Sequence, residues 1–147
     1  MLFPVHQYLA ARAGIFFCVF HKNVNLLPLA FCIACQKCDE YCLRQLVSIL
    51  MENAIKYAGP GGKVVVHLDK QGKSLCLWVE NTCTELPTGN LNRLFDRFYR
   101  ADTSRSRETG GYGIGLSIAK SICLAHHAKI SAEAVEPKSI RFTVSFS

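Results

Sequence analysis

The strongest candidate for a chemical site in this sequence is a loop with glycines at alternate positions. Gly111, Gly113 and Gly115 are followed by Leu116 and by a segment with helical character. Glycine permits a positive φ and lets a ligand approach the backbone, and a helix N-terminus offers unpaired N–H groups to an anion. No Gly-Lys-Ser/Thr follows, as in a Walker loop, and no buried strand precedes, as in a Rossmann turn. The pattern predicts a phosphate-binding loop of a different kind.

Two polar motifs upstream of this loop point to the same kind of ligand. Asn53 can offer an amide oxygen to a hard cation, and Lys56, nearly one helical turn later, carries a charge suited to phosphate. The segment Phe-Asp-Arg-Phe-Tyr-Arg at residues 95–100 combines aromatic anchors with arginines directly before the polar loop 100–111. Each motif alone is more typical of surface or core than of a site, but the three together, in this order, favour phosphate binding.

Hydrophobic periodicity predicts the helices that must position these residues. An amphipathic helix runs from about Asp39 to Tyr57 and ends before Gly59-Pro60-Gly61-Gly62. Its apolar residues at helical spacing are Leu43, Leu46, Val47, Leu50, Ala54 and Ile55. A short helix is expected over 91–98. A second long helix is expected from about Gly113 to His126, with one apolar face made of Ile114, Ile118 and Ile122.

Alternating and β-branched residues predict four strands, over 63–69, 74–80, 129–134 and 139–147. The first two are joined by a hairpin turn at 70–73. The last strand directs its apolar side chains to one face: Ile140, Phe142, Val144 and Phe146. Helices grouped with hairpin-connected strands indicate an α+β fold, a two-layer α/β sandwich whose helices cover one sheet face. A chain of 147 residues is long enough for one domain with a sizeable core.

The three motifs in this order resemble the catalytic and ATP-binding domain of bacterial sensor histidine kinases. They read Asn-Ala-x-Lys-Tyr, Phe-Asp-Arg-Phe-Tyr-Arg and Gly-Gly-x-Gly-x-Gly-Leu-Ser-Ile-Ala-Lys, at family-like separations from about Asp39 to Ser147. The resemblance implies the ATPase fold shared with gyrase, heat-shock chaperones and mismatch-repair proteins, with a mixed, mostly antiparallel sheet. The expected domain spans 25–147. Residues 1–24 form a poorly defined segment that could be a remnant of a preceding domain.

The resemblance implies a role for each motif residue. Asn53 is the Mg²⁺ ligand, and Lys56 and Tyr57 lie along the triphosphate of ATP. Phosphate is cradled by four residues of the glycine loop: Gly111, Gly113, Gly115 and, through its amide, Leu116.

A mobile lid over residues 100–110 is also implied, anchored by Phe95 and Phe98. Arg100, together with Arg97, reaches the terminal phosphate, where a fixed guanidinium stabilises charge in the transition state. The residues assigned to catalysis are Asn53, Lys56 and Arg100.

The sequence departs from the family pattern in ways that carry their own predictions. Asn81 stands where the family has the Asp that accepts the adenine amino group, and the glycines that normally follow are missing. Ile49 stands where hydrolysing relatives place a water-activating Glu, which suits transfer to a protein acceptor. The second helix ends in His126-His127-Ala128, where glycine is the common cap.

The sequence also lacks a phospho-acceptor motif. No His-Glu-x-x-x-Pro segment occurs, and His6 and His21 do not have its flanking residues. The expected activity is therefore transfer of the γ-phosphoryl group to a histidine on a separate dimerisation domain, then to a response regulator. A membrane link is expected only through an upstream sensor region. Without an export signal in the sequence, the default location is the cytoplasm.

Other functions remain open at this stage. An anti-sigma-factor serine kinase has the same fold and similar length, although the long arginine-rich lid argues against it. An iron–sulfur or zinc module would use the run Cys32, Cys35, Cys38 and Cys42, which has ferredoxin-like spacing. The net charge of +6 fits the arginines around the lid, and neither interleaved exposed aromatics nor a recognition helix indicates nucleic-acid binding.

Overall fold

A computed structural model describes residues 16–19, 38–71, 74–99 and 113–146. These residues form a five-stranded sheet in the order β1-β2-β3-β5-β4. The strands are β1 Phe16–Val19, β2 Lys63–Gln71, β3 Ser74–Thr82, β4 Lys129–Val135 and β5 Ser139–Phe146. β1 pairs with β2 in parallel, and the other neighbours pair antiparallel. The predicted mixed, mostly antiparallel sheet is confirmed, and four residues of the segment left without assigned structure contribute a strand.

Within the described segments, two α-helices and a 3₁₀ helix accompany the sheet. They are α1 Glu40–Ala58, the 3₁₀ helix Leu91–Phe95 and α2 Gly115–Ala125. α1 begins where the Asp39 carboxylate accepts a hydrogen bond from the Cys42 N–H, and it ends at Gly59, whose φ of 69° suits glycine. Neither α-helix of the described segments has the length and apolar character needed to cross a membrane.

One face of the sheet carries the core. Leu77 and Val79 of β3 and Phe142 and Val144 of β5 are buried against the helical layer. α1 contributes Leu43, Leu46, Val47, Leu50 and Ala54, as its periodicity predicts. Truncating a fully buried residue such as Leu50 to alanine typically costs about 2–5 kcal/mol. The predicted two-layer sandwich is therefore confirmed, with the helices on one face.

The outer face of the sheet is polar, with one aromatic cluster at its centre. The Trp78 ring stacks on His67, with centroids 5.1 Å apart, and the guanidinium of Arg141 lies 4.5 Å from the Trp78 centroid. Arg141 also donates to the Glu80 carboxylate through Nε at 3.0 Å and through a terminal nitrogen at 2.8 Å. Alternation along β3 thus separates an apolar inner face from a polar outer one.

The buried face of α2 differs from the prediction. Ile122 is buried, but Ile114 and Ile118 are each 37% exposed. The buried residues are smaller: Ser117, Ala119 and Cys123 accompany Ile122. Small side chains let α2 pack closely on its neighbours, and burial raises the pKa of the Cys123 thiol to about 12, which keeps it a neutral core residue.

Smaller corrections concern helix edges. Ile55, predicted to be buried, lies at the edge of the apolar stripe of α1 and is partly exposed. The short helix predicted to Phe98 ends at Phe95. β2 extends to Gln71, two residues beyond its predicted end, and β3 begins at Ser74 as predicted. Two residues therefore separate the strands, instead of the predicted four.

Candidate nucleotide-binding site

One face of α1 presents the first site residues. Ile49, Asn53 and Lys56 recur at helical spacing, and each is half-buried. The Lys56 ammonium lies 5.4 Å from the centroid of the exposed Tyr57 ring, so the two residues predicted to follow the triphosphate are neighbours. The helix therefore brings an amide oxygen, a cation and an aromatic ring to its C-terminal half.

The N-terminus of α2 faces this part of α1. A Cβ built on Gly115, the first helical residue, would lie 3.6 Å from Ile49 Cγ2. Ile49 precedes Asn53 by four residues, so the start of α2 lies about one helical turn from Asn53. Ile114, which precedes the helix, provides no side-chain cap. The first N–H groups of α2, including that of Leu116, lack intrahelical partners and are suited to an anion.

Gly113 has a backbone that requires glycine. Its φ is 68°, and a Cβ there would lie 3.2 Å from the Tyr99 carbonyl oxygen and 3.3 Å from Phe98 backbone atoms. The Gly113 carbonyl accepts a hydrogen bond of 3.0 Å from the Phe98 N–H. The prediction of a glycine-dependent turn before the helix is confirmed for this residue, which joins the start of α2 to the end of the aromatic segment.

The two predicted lid anchors behave differently. Phe95 is buried and contacts the Phe142 ring edge-on, with centroids 6.1 Å apart. Phe98 is 72% exposed and has a φ of 64°, so its ring does not anchor the segment in the core. Its backbone N–H provides the link to Gly113. The Phe98 ring lies outside the core, and its predicted anchoring of the lid, which falls outside the described residues, stays a prediction.

Asn81 is fully buried at the end of β3, paired in register with Val64 and Ile140. Its Nδ2 donates to the Thr82 carbonyl at 2.9 Å. Its Oδ1 accepts no hydrogen bond from any described residue. An unsatisfied buried acceptor costs about 1–3 kcal/mol, so this oxygen is suited to a donor that the ligand would supply.

The remaining predicted residues are less constrained. Arg97 is exposed. Arg100, Gly111 and the whole predicted lid, residues 100–110, lie outside the described residues, so their roles stay predictions. Ile49 offers only an aliphatic side chain, which cannot polarise water.

The cysteine run falls partly outside the described residues, because Cys32 and Cys35 are not among them. Cys42 lies in the first turn of α1, where desolvation raises the pKa of its thiol. Within the described segments, no cluster of three or more His, Cys, Asp or Glu side chains could hold a metal ion. Cys38 is disulfide-bonded, whereas Cys42 is a free thiol, so the four cysteines do not present four thiolates and the predicted four-cysteine site is wrong.

A separate cleft of about 350 Å³ lies beside the turn between α1 and β2. It is lined by Gly61, Thr82, Cys83, Lys138 and their neighbours, and its described lining includes none of the predicted nucleotide residues. A Cβ on Gly62, which also lines it, would clash with the Ala58 backbone, so this turn needs glycine for packing. The cleft is therefore a feature of the α1–β2 turn rather than of the phosphate end.

Sequence reasoning missed a contact at the opposite end of the helices. The His126 ring accepts a hydrogen bond of 3.2 Å from the Asp39 N–H, which links the end of α2 to the start of α1. The two residues are 87 positions apart, and no local pattern signals their contact.

Comparison with known proteins identifies the family of this chain. The profile described as "Histidine kinase-, DNA gyrase B-, and HSP90-like ATPase" matches residues 38–147, and the chain belongs to this family. The probable sensor kinase SilS of Salmonella typhimurium is 40% identical over 107 residues, which cover 73% of this chain and 21% of SilS. The sensor histidine kinase WalK of Bacillus subtilis is 35% identical over 112 residues, covering 74% of this chain and 18% of WalK.

Solved structures give the same assignment. The mycobacterial sensor histidine kinase MprB superposes with a TM-score of 0.65 at 26% identity, covering 74% of this chain and 73% of that one. The catalytic domain of histidine kinase ThkA shares the fold, with a TM-score of 0.62 at 24% identity, covering 74% and 68%. This chain spans about a fifth of the length of the curated relatives. It corresponds to the histidine kinase catalytic domain.

Proposed function

We propose that this domain binds Mg·ATP and transfers the γ-phosphoryl group to a histidine on a separate dimerisation domain, from which it passes to a response regulator. The observation that carries the proposal is that the N-terminus of α2 packs against α1 near Asn53. The uncapped N-terminus of α2 lies about one helical turn from Asn53, through the contact between Gly115 and Ile49. An anion-binding helix end beside a hard-cation ligand is the arrangement that a metal–triphosphate requires.

Adenine would bind at the end of β3. The Asn81 Oδ1 lacks a donor and is buried, and the adenine amino group would supply one. The neutral amide accepts this hydrogen bond more weakly than a carboxylate would, since charged acceptors form the stronger bonds. Asn81 thus serves as the base-recognition residue in this domain.

The phosphates would lie between α1 and the glycine loop. Gly113, Gly115 and the Leu116 amide would bind them from α2, with Gly111 preceding. Lys56 and Tyr57 would line the α1 side, and Arg97 and Arg100 would approach the terminal phosphate. Fixed cations and backbone dipoles of this kind stabilise the charge that develops during phosphoryl transfer.

Asn53 would hold Mg²⁺. One amide oxygen fits the preference of Mg²⁺ for oxygen ligands, and the ion normally takes its other ligands from phosphates and water. When bound, the metal neutralises charge on the transferring phosphate. The half-buried position of Asn53 on α1 is compatible with this role.

Transfer breaks the bond between the γ-phosphorus and the bridging oxygen of ADP and forms a bond from phosphorus to an imidazole nitrogen. Positioning carries most of this chemistry. Ile49 beside the glycine loop cannot activate water, so a protein acceptor is favoured over hydrolysis. Three exposed apolar residues at this end, Phe98, Ile114 and Ile118, are suited to contact the acceptor domain.

Calorimetry tests nucleotide binding. ATP with Mg²⁺ should bind at one site, and Asn53→Ala should weaken binding severely. Asn92→Ala changes an exposed asparagine on the 3₁₀ helix and should bind as the wild type does. A folded wild-type chain that shows no heat and no thermal shift at millimolar ATP contradicts the proposal.

Labelled ATP tests transfer. The chain alone should label itself little and hydrolyse ATP slowly. Added histidine-bearing domain from a related kinase should acquire the label, and Arg100→Ala should lower the transfer rate far more than the ATP affinity. Rapid acid-labile labelling of the chain alone, or an unchanged rate in Arg100→Ala, contradicts these roles.

A further inference from the structure

His126 makes two hydrogen bonds that fix its ring between the helices. Nδ1 lies 2.9 Å from the Ile122 carbonyl oxygen, and Nε2 lies 3.2 Å from the Asp39 backbone nitrogen. A carbonyl only accepts and a backbone N–H only donates. The proton therefore sits on Nδ1, and Nε2 presents its lone pair to Asp39. Only the neutral Nδ1–H tautomer satisfies both contacts.

Asp39 is the residue at which the ordered start of α1 is established. Its carbonyl accepts from the Leu43 N–H at 3.1 Å, and its carboxylate accepts from the Cys42 N–H at 2.9 Å. The Cys42 hydrogen bonds hold the pKa of the Asp39 carboxyl below its usual value. With the His126 contact, the N–H, the carbonyl and the carboxylate of Asp39 are all engaged.

α2 spans the distance between this contact and the glycine loop. Its 11 residues extend about 16 Å. The C-terminal end is closed by backbone hydrogen bonds from His126 to Ile122, from His127 to Leu124 and from Ala128 to Cys123. α2 therefore connects the two sites directly, with Gly115 at one end and the His126 contact at the other.

We propose that His126 is a positioning residue that couples nucleotide binding at the N-terminus of α2 to the conformation of the chain where it joins α1 at Asp39. The coupling rests on the proposed function, since ATP is the ligand proposed for the N-terminus of α2. It is reciprocal: any force on the chain before Asp39 that alters this hydrogen bond changes the nucleotide affinity by the same factor. The family match begins at residue 38, directly before this contact.

Amide hydrogen exchange on the 147-residue chain tests the coupling. Saturating Mg·ATP should slow exchange at Asp39, Cys42 and Leu43 by about fivefold or more in the wild type. His126→Leu should remove this nucleotide effect. His126→Gln should restore it, because its amide donates to Ile122 and accepts from Asp39. His127→Asn changes the adjacent exposed residue and should behave as the wild type does.

Calorimetry on each variant separates the outcomes. A wild type that binds ATP without changed exchange at Asp39, Cys42 and Leu43 overturns the coupling and leaves the proposed function intact. So does a His126→Leu variant that binds ATP and keeps the full nucleotide effect. A wild type that binds no ATP overturns both proposals.

Nitrogen NMR of the wild type provides a measurement that needs no variant. The His126 ring should show a protonated Nδ1 and an unprotonated Nε2 near neutral pH. A ring protonated on Nε2 cannot accept from Asp39, and that result overturns the coupling even if His126→Leu fails to fold.

Discussion

The two ends of the helical layer differ in how fully their polar groups are hydrogen-bonded. At the end that holds Asn53 and Asn81, an amide oxygen is buried without a donor and α2 begins without a side-chain cap. At the end that holds Asp39 and His126, the carboxylate, the imidazole and the carbonyls of Ile122, Cys123 and Leu124 have partners. Unsatisfied groups cost stability, and their position at this end supports the proposal that a ligand binds there.

Substitution of Gly113 should have the largest effect on the end that holds Asn53 and Asn81. Gly113→Ala places a side chain at a φ of 68° and 3.2 Å from the Tyr99 oxygen. We expect the free energy of unfolding to fall by about 1–2 kcal/mol and ATP affinity to fall about tenfold or more. Denaturant titration and calorimetry measure the two effects.

Gly115→Ala is the matched control for the backbone strain. A Cβ there meets only Ile49 at 3.6 Å, an ordinary contact, and alanine is the better helix former. Stability should hold or rise by about 0.5–1 kcal/mol, so any loss of ATP affinity reports close approach of the phosphates. Equal destabilisation by the two alanines would contradict the special role of Gly113.

Asn81 gives an effect of intermediate size. Asn81→Ala removes the proposed adenine acceptor and should weaken ATP binding by about 0.5–1.5 kcal/mol. Asn81→Asp should bind ATP as well or better, because a carboxylate is the stronger acceptor. Calorimetry measures the ATP affinity of both variants. Unchanged affinity in Asn81→Ala would show that the base binds elsewhere.

Substitution of His127 tests the end that holds Asp39 and His126, and it should give the smallest change in stability. It has a φ of 56° in the position where helices commonly use glycine. His127→Gly should raise the free energy of unfolding by roughly 0.5 kcal/mol, since relief of the left-handed strain exceeds the added chain entropy. Thermal unfolding measures it, and ATP affinity should stay constant. A change in affinity would mean that the backbone at His127, and not the His126 ring alone, influences the nucleotide end.

The parts of the fold that were predicted correctly have strong local periodicity. Leu43 to Ala54 at helical spacing and Ile140 to Phe146 in alternation each specify a face without reference to the rest of the chain. The prediction of the buried face of α2 was wrong because it followed hydropathy, which favours isoleucine. The close approach of the helices instead buries the small residues Ser117, Ala119 and Cys123. Strand β1 escaped notice because its parallel pairing with β2 is set by distant residues.

The candidate site shows the same division. Motif order predicted a set of residues whose roles stay predictions, and the structure places the start of α2 next to Ile49, four residues before Asn53. The missing donor at Asn81 Oδ1 and the hydrogen bond between Asp39 and His126 depend on packing between distant segments. No spacing rule contains that information.

The polar face of the sheet gives the protein an internal optical reporter. Trp78 is the single tryptophan of the chain, and its ring lies between His67 and the guanidinium of Arg141. Its emission therefore depends on whether β2, β3 and β5 keep their register. The nucleotide residues lie on the other side of the sheet, so Trp78 fluorescence should follow unfolding while remaining constant during ATP titration.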